Sequence, residues 1–279
     1  MGPLEPIHTP SLQPLPLNTL WIGPALAPLH QLCLLSAVDA GHHVRLFHYG
    51  KLDNVPGAIE RADAREIFPE SAIIRHRRTG SPSIFADRFR YEIMRRGLGA
   101  WSDTDVLFLK PLLAEAPMIC GWESNSLVGN SVLYFAPGST VLEELHRRAM
   151  DDHPVPPWYF PPHRTWLRLR KRLGRPVPVT ALPWGVLGPG LLTDILRRQG
   201  KLDQAWPVHR LFPIPYKEKF GPFQSRYDFA HRIRPDTIGV HLWAQGLHGG
   251  IAAARSGPLP LAEPDSLVAR RAGDIGFRL

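Results

Sequence analysis

Short apolar runs alternate with amphipathic stretches through the first half of the chain. That alternation limits the possible folds more than any other feature. Residues 18–22, 44–49, 72–76, 106–109, 118–120 and 131–135 have strand length and are rich in β-branched, aromatic and leucine residues. Residues 26–40, 82–96, 140–150 and 189–199 carry apolar residues at helical spacing. Residues 58–68 read as a short polar helix, and 237–243 as a last strand. Such alternation predicts an α/β fold with a Rossmann-like, mostly parallel sheet flanked by helices. The proline-rich residues 1–17 are expected to be a flexible lead-in, 18–255 the folded domain, and 256–279 a tail without core pattern. Residues 151–176 stand apart as an inserted helical or loop segment, with two Pro-Pro pairs, Trp158-Tyr-Phe160 and a basic run.

The composition fits one folded body. With 279 residues, 44% hydrophobic and 21% charged, disorder and collagen-like structure are excluded. Only two cysteines occur, Cys33 and Cys120, each in an apolar run, so no disulfide framework is expected and a reducing compartment is the simpler reading. Lys and Arg number 33 against 25 Asp and Glu, a net charge of +8. That balance points to acidic partners: phosphates, nucleotides, nucleic acid or an anionic membrane. No apolar run approaches the roughly 18–20 residues that span a bilayer. The start lacks the basic-then-apolar order of a secretory leader. A cytoplasmic protein is expected, able to sit at the inner face of the membrane.

The sharpest chemical feature is Trp101-Ser-Asp-Thr-Asp105, followed at once by Val106-Leu-Phe-Leu109. Carboxylates at i and i+2 in extended backbone point to one side. Hard oxygen ligands of this kind suit Mg²⁺ or Mn²⁺, which in turn bridge a diphosphate. An isolated Asp-x-Asp is more often a solvated turn than a site. The apolar strand beside this one puts it at a sheet edge, where α/β proteins bind ligands. On the 82–96 helix, Phe85, Phe89 and Ile93 form a core face at i, i+4, i+8. Asp87 and Arg90, with Tyr91 and Met94, fall on a separate stripe, either as a structural i,i+3 ion pair or as a functional one. No Gly-x-Gly-x-x-Gly, Walker lysine, Cys-x-x-Cys or zinc-like histidine spacing occurs.

Taken together, Ser83-Ile-Phe-Ala-Asp-Arg-Phe-Arg-Tyr-Glu-Ile-Met and Gly97-Leu-Gly-Ala-Trp-Ser-Asp-Thr-Asp105 resemble the DXD-containing sugar transferases of glycosyltransferase family 32. These include capsular and mannan α-glycosyltransferases, and the glucosylating domain of large clostridial toxins is similar. The family has Gly-Gly where this chain has Gly97-Leu-Gly99. Trp21-Ile-Gly23, the segment 183–193 with Gly188-Pro189, and His241-Leu-Trp243 continue the likeness in order, over roughly residues 18–250.

The resemblance implies a GT-A-type fold and a retaining hexosyltransferase that uses Mn²⁺ or Mg²⁺ and a nucleotide-sugar donor, UDP-sugar ahead of GDP-sugar. The acceptor would be a glycan or lipid-linked saccharide, as in polysaccharide biosynthesis. It further implies that Asp105 ligates the metal, with His241 as a second ligand or a diphosphate contact. Asp103 would meet the ribose and donor sugar, Asp87 and Arg90 the sugar and its leaving phosphate, and Trp21 the base, with Trp101 beside them. Glu123, Asn130, Gly188, Pro189 and Trp243 would lie on the acceptor side. For His241 a core histidine, for Asn130 a strand-entry turn and for Gly188-Pro189 a helix start are the plainer readings.

Two rival functions stay open. The charge suits a polyanion- or nucleic-acid-binding protein, although no such motif appears and no nucleic-acid partner is expected. The Asp pair also suits a metal-dependent hydrolase. Residues 164–175 are either a solvated basic helix or a patch for anionic membrane, because Trp166, Leu169 and Leu173 share a helical face among six basic residues.

Overall fold

The computed structural model describes residues 13–247 and 261–278. In chain order the elements are β1 (Leu17–Trp21), α1 (Pro28–Asp39), β2 (Val44–His48), β3 (Glu60–Asp63), α2 (Ser83–Arg95), β4 (Ala100–Ser102), β5 (Val106–Phe108), β6 (Met118–Trp122) and β7 (Val128–Phe135). There follow α3 (Thr140–Ala149), α4 (Pro161–Arg172), α5 (Pro189–Arg198), α6 (Val208–Leu211), β8 (Gly239–His241), α7 (Ala244–Leu247) and α8 (Leu267–Asp274). Helix starts follow local chemistry. Proline opens α1, α4 and α5, where its missing N–H has no helical partner anyway. Ser139 and Ser266 cap α3 and α8 by accepting from the Leu142 and Ala269 amides.

Six strands form one sheet in the order β3-β2-β1-β4-β7-β6. The pairs β3–β2, β2–β1 and β1–β4 are parallel, whereas β4–β7 and β7–β6 are antiparallel. β5 and β8 make a separate antiparallel ribbon. The chain is therefore α/β, with a mostly parallel central sheet flanked by helices. On one face Phe47, Trp101 and Leu133 meet Phe89 of α2, Leu145 of α3 and Leu192 of α5. On the other, Leu46, Ala100 and Val132 meet Leu34 and Ala37 of α1 and Leu211 of α6. A third cluster joins Leu32 of α1, Leu107 and Val240 of the ribbon, and Val268 of α8. No described helix is long and apolar enough to cross a membrane.

Several local expectations need correction. Residues 58–68 are not a helix: they hold β3 and a short 3-10 turn, Ala64–Glu66. β3 is an edge strand that pairs through its backbone and exposes Glu60 and Arg61, so it carries no apolar signal. Residues 72–76 form no strand; His76 is held instead by the Leu182 carbonyl at 3.0 Å. α8 contributes Val268 and Ala272 to the core, so the described part of 256–279 is not a bare tail. Residues 13–17 join the body rather than leading into it, because Leu15 N donates to Leu112 O. The expected lead-in over 1–12, the domain end at 248–255 and residues 256–260 lie outside the described residues. Cys33 and Cys120 are buried and free, as their apolar settings imply.

α2 departs from its pattern in a useful way. Its second stripe was expected to be separate from the core, yet Asp87, Arg90, Tyr91 and Met94 are all buried. The N-terminal approach to α5 covers that stripe, where Tyr91 Oη donates to the Leu187 carbonyl at 2.7 Å.

Gly99 sets the entry to β4. Its φ is +117°, and an added Cβ would lie 2.5 Å from the Pro16 carbonyl oxygen, which accepts from Ala100 N. We predict that Gly99→Ala costs about 1–3 kcal/mol from overpacking, with backbone strain in addition. Gly97→Ala, at φ +69° with open space around it, should cost only about 1–2 kcal/mol. Denaturant midpoints at constant slope measure both; equal losses would remove the close approach as the cause.

Candidate functional site

Three parallel strands end on the same edge, β1 at Trp21, β2 at His48 and β4 at Ser102. In open α/β sheets that edge is where ligands bind. The chain leaving β4 turns there, with Asp103 N donating to the Ser131 carbonyl of β7 at 2.7 Å. It re-enters extended structure as β5, in register with β8 so that Val106 faces His241. Leu242 N donates to the Asp105 carbonyl, and Ala244 N, at the start of α7, donates to Asp105 Oδ2, both at 2.9 Å. His241 Nε2 then lies 3.4 Å from Asp105 Oδ1. Its ring is wedged against Trp243 and Phe212, with centroids 4.2 and 5.5 Å away.

Asp103 is held from the other side. Trp101 Nε1 donates to Asp103 Oδ1 at 2.8 Å, and Arg90 Nη2 approaches the same oxygen at 3.2 Å. Arg90 also contacts Asp87 at 3.4 Å, donates to the Asn130 carbonyl and lies 5.0 Å over the Trp101 ring. Asn130 Nδ2 donates to Asp87 Oδ1 at 2.8 Å. Gly188 packs against this pair: an added Cβ would lie 2.7 Å from Asn130 Nδ2 and 3.2 Å from Asp87 Oδ1. Asp87 and Arg90 side chains are 9% and 5% exposed, whereas Asp103 is 28% exposed. Of the three, Asp103 offers the edge that an incoming ligand can touch.

The electrostatics separate the carboxylates. Burial pushes Asp87 up to about 6, against the pull of Arg90 and the Asn130 amide. Burial also raises Asp103, helped by the negative Asp105 and opposed by Arg90. Asp105 is buried as well, but the charge and hydrogen bond of His241, then His30 and the Ala244 amide, outweigh burial and hold it well below the usual range. Burial alone would lower His241; Asp105, Asp103 and Glu123 reverse that and raise it.

Asp103, Asp105 and His241 each offer a ligand atom within 4.8 Å of the others. His241 Nδ1 is buried with no hydrogen-bond partner among the described residues. Two hard carboxylates with an imidazole nitrogen of His241 in reach are a donor set that fits a divalent ion such as Mn²⁺ or Mg²⁺. The chain matches no model of a known protein family and no curated protein.

Most of the expected site residues converge. Asp87, Arg90, Asp103, Asp105, Asn130, Gly188 and His241 are joined by the contacts above, and Glu123, after β6, is close enough for its charge to act on His241. Pro189 opens α5 at Gly188. Trp21 ends β1, its Nε1 buried without a hydrogen-bond partner among the described residues and its ring 4.7 Å from His30. Trp101, at 1% exposure, is part of the core; it meets the site through its hydrogen bond to Asp103 and through Arg90, which lies over its ring. Trp243 is tied down by Nε1 donating to the Ile214 carbonyl at 2.8 Å and packs on His241.

His30 of α1 was missed. It sits 3.0 Å from Thr104 Oγ1 and acts on Asp105. Nothing in a leucine-rich helix marks a partner so distant in sequence. Trp101→Phe should keep the ring but lower Mn²⁺ affinity about tenfold, as losing a support of a metal ligand does. Asp105→Asn should lower it further. Titration followed by Mn²⁺ paramagnetic resonance measures both; unchanged affinity in both variants would place the ion elsewhere.

Proposed function

We propose that this chain is a metal-dependent glycosyltransferase of GT-A type. It would move a sugar from a nucleotide-sugar donor, UDP-sugar ahead of GDP-sugar, to a glycan or lipid-linked saccharide, with retention of configuration. The observation that carries the reading is the convergence of Asp103, Asp105 and His241 at the carboxyl edge of the parallel strands, backed by the buried Asp87–Arg90 pair. The change from parallel to antiparallel pairing at β4 supports the GT-A-type assignment.

Asp105 and His241, with Asp103, would hold the ion. A bound divalent ion supplies charge to neutralise a leaving diphosphate. Arg90 adds a fixed positive charge beneath Asp103 and keeps that carboxylate's orientation. Preorganised charge of this sort lowers a barrier because nothing has to reorient during the reaction. Trp21, at the end of β1, offers an aromatic platform for the base. Asn130 and Gly188 fix Asp87 at the wall where the sugar would lie. No side chain stands out as a covalent nucleophile. A front-face displacement needs none: the acceptor oxygen bonds to the anomeric carbon as the sugar–phosphate bond breaks, and the acceptor proton passes to the leaving phosphate.

Nucleotide binding should require the ion. Saturating UDP with Mn²⁺, at a hundredfold excess over the dissociation constant, should stabilise the fold by about 2.7 kcal/mol. The same UDP in chelator should stabilise it far less, and Asp105→Ala should remove the difference. Equal stabilisation in Mn²⁺ and in chelator would overturn the reading. Polynucleotide binding with a linear salt dependence, untouched by Asp105→Ala, would replace it with the polyanion reading.

Asp87→Asn keeps the shape and can still accept from Asn130. We expect it to stay folded by circular dichroism and to lower sugar transfer about 10²–10³-fold. Transfer per folded molecule equal to wild type would leave Asp87 a purely structural partner of Arg90. Sugar release at full rate without any acceptor would instead indicate a hydrolase.

A further inference from the structure

Helix α4 presents an apolar face that the rest of the described chain does not cover. Leu167 alone among its residues is buried. Phe160, at the cap, and Trp166, Leu169 and Leu173 are 74, 47, 53 and 65% exposed. Trp166, Leu169 and Leu173 fall at i, i+3 and i+7, on one side of the helix. Around them stand Arg164, Arg168, Arg170, Lys171, Arg172 and Arg175, and residues 153–193 contain no Asp or Glu. Among the described residues only Lys171 has a carboxylate partner, Asp151 at 3.6 Å. Arg170 lies 5.7 Å over the Trp166 ring and donates to the Arg175 carbonyl, which fixes the last turn of the face.

The charge decides what covers this face. A second copy would bring the same basic cluster against itself and would be repelled. A polynucleotide satisfies the arginines but leaves Leu169, Leu173 and Phe160 in water. A bilayer with anionic headgroups takes both, since basic side chains meet the headgroups while Trp and Leu enter the boundary with the acyl chains. We infer that α4 and its flanking residues are a docking face for an anionic lipid bilayer. This rests on α4 alone and not on the sugar-transfer reading.

The segment before α4 touches the helix that follows the candidate site's Gly188. Trp158, in the segment leading into α4, packs so close to α5 that a Cβ on Gly190 would lie 3.2 Å from its indole. The same first turn of α5 begins at Gly188, which presses on Asp87 and Asn130.

Flotation with phosphatidylglycerol-rich and with pure phosphatidylcholine vesicles tests the inference on the full chain. Wild type should float with the anionic vesicles at low salt, lose that binding at high salt and ignore the neutral ones. Arg168→Glu with Arg172→Glu should lower partitioning at least about tenfold. A control of equal charge change, Arg226→Glu with Arg270→Glu, should change it less than about twofold. Leu169→Gln with Leu173→Gln should also weaken binding, which a purely ionic attraction would not show. These positions are exposed, and circular dichroism checks that each variant is folded. Absence of binding by wild type at low salt, equal loss in the control pair, or indifference to the leucine changes would overturn it. So would a dimer that the α4 variants dissolve, or binding to a polynucleotide alone that Arg168 and Arg172 control.

Discussion

Arg90 carries a permanent charge into a place that water scarcely reaches, and the candidate site is built around making that charge stable. Its guanidinium is shared among Asp87, Asp103 and the Asn130 carbonyl, and it lies over the Trp101 ring. A buried ion left without its partner costs about 3–5 kcal/mol. Beyond Asp87 on its own helix α2, these partners come from β4, the turn after it, and β7. The interaction that fixes the two carboxylates is thus also one that fixes how helix and sheet meet. Arg90 cannot relax without releasing Asp103, and Trp101 cannot leave the core without unseating both.

The second constraint is register. His241 reaches Asp105 only because β8 pairs with β5 so that it stands opposite Val106. A slip of one residue would turn its side chain to the other face of the ribbon. The pairing is pinned at both ends, by Leu242 N on the Asp105 carbonyl and by Leu109 N on the Ile238 carbonyl. Phe212, set against Gly129, where an added Cβ would meet its ring at 2.3 Å, closes the remaining space beside His241.

The parts of this that were legible in the sequence share a physical reason. Buried strands and amphipathic helices write their burial into residue type, so β1, β2, β7, α2, α3 and α5 appear as apolar runs of the right period. The Asp pair was legible because two carboxylates at i and i+2 stand directly before an apolar strand. β3 was not, because an edge strand is held by backbone bonds that any residue can make. α8 was hidden because two buried side chains, Val268 and Ala272, make too thin a stripe. The burial of Asp87 and Arg90 could not be read either. Periodicity separates them from the core face, and only the arrival of β7 and α5 decides that their stripe is covered too. The setting of Trp101 was hidden for a related reason: its N–H serves Asp103 from inside the core.

Charge balance gives the candidate site a direction of assembly. Asp87, Asp103, Asp105 and Glu123 supply four carboxylates, against the single guanidinium of Arg90 and the imidazole of His241. A diphosphate approaching such a set meets surplus negative charge in a partly buried setting, where repulsion is poorly screened. A divalent cation seated on Asp103, Asp105 and His241 would offset most of that surplus. In the proposed reaction the cation must therefore bind before or together with the nucleotide. The basic character of the chain does not remove this need, because many of its arginines lie away from the centre, on α4 and the outer surfaces. Charge that attracts anionic partners to the molecule and charge that receives one in the site are separate features of this fold.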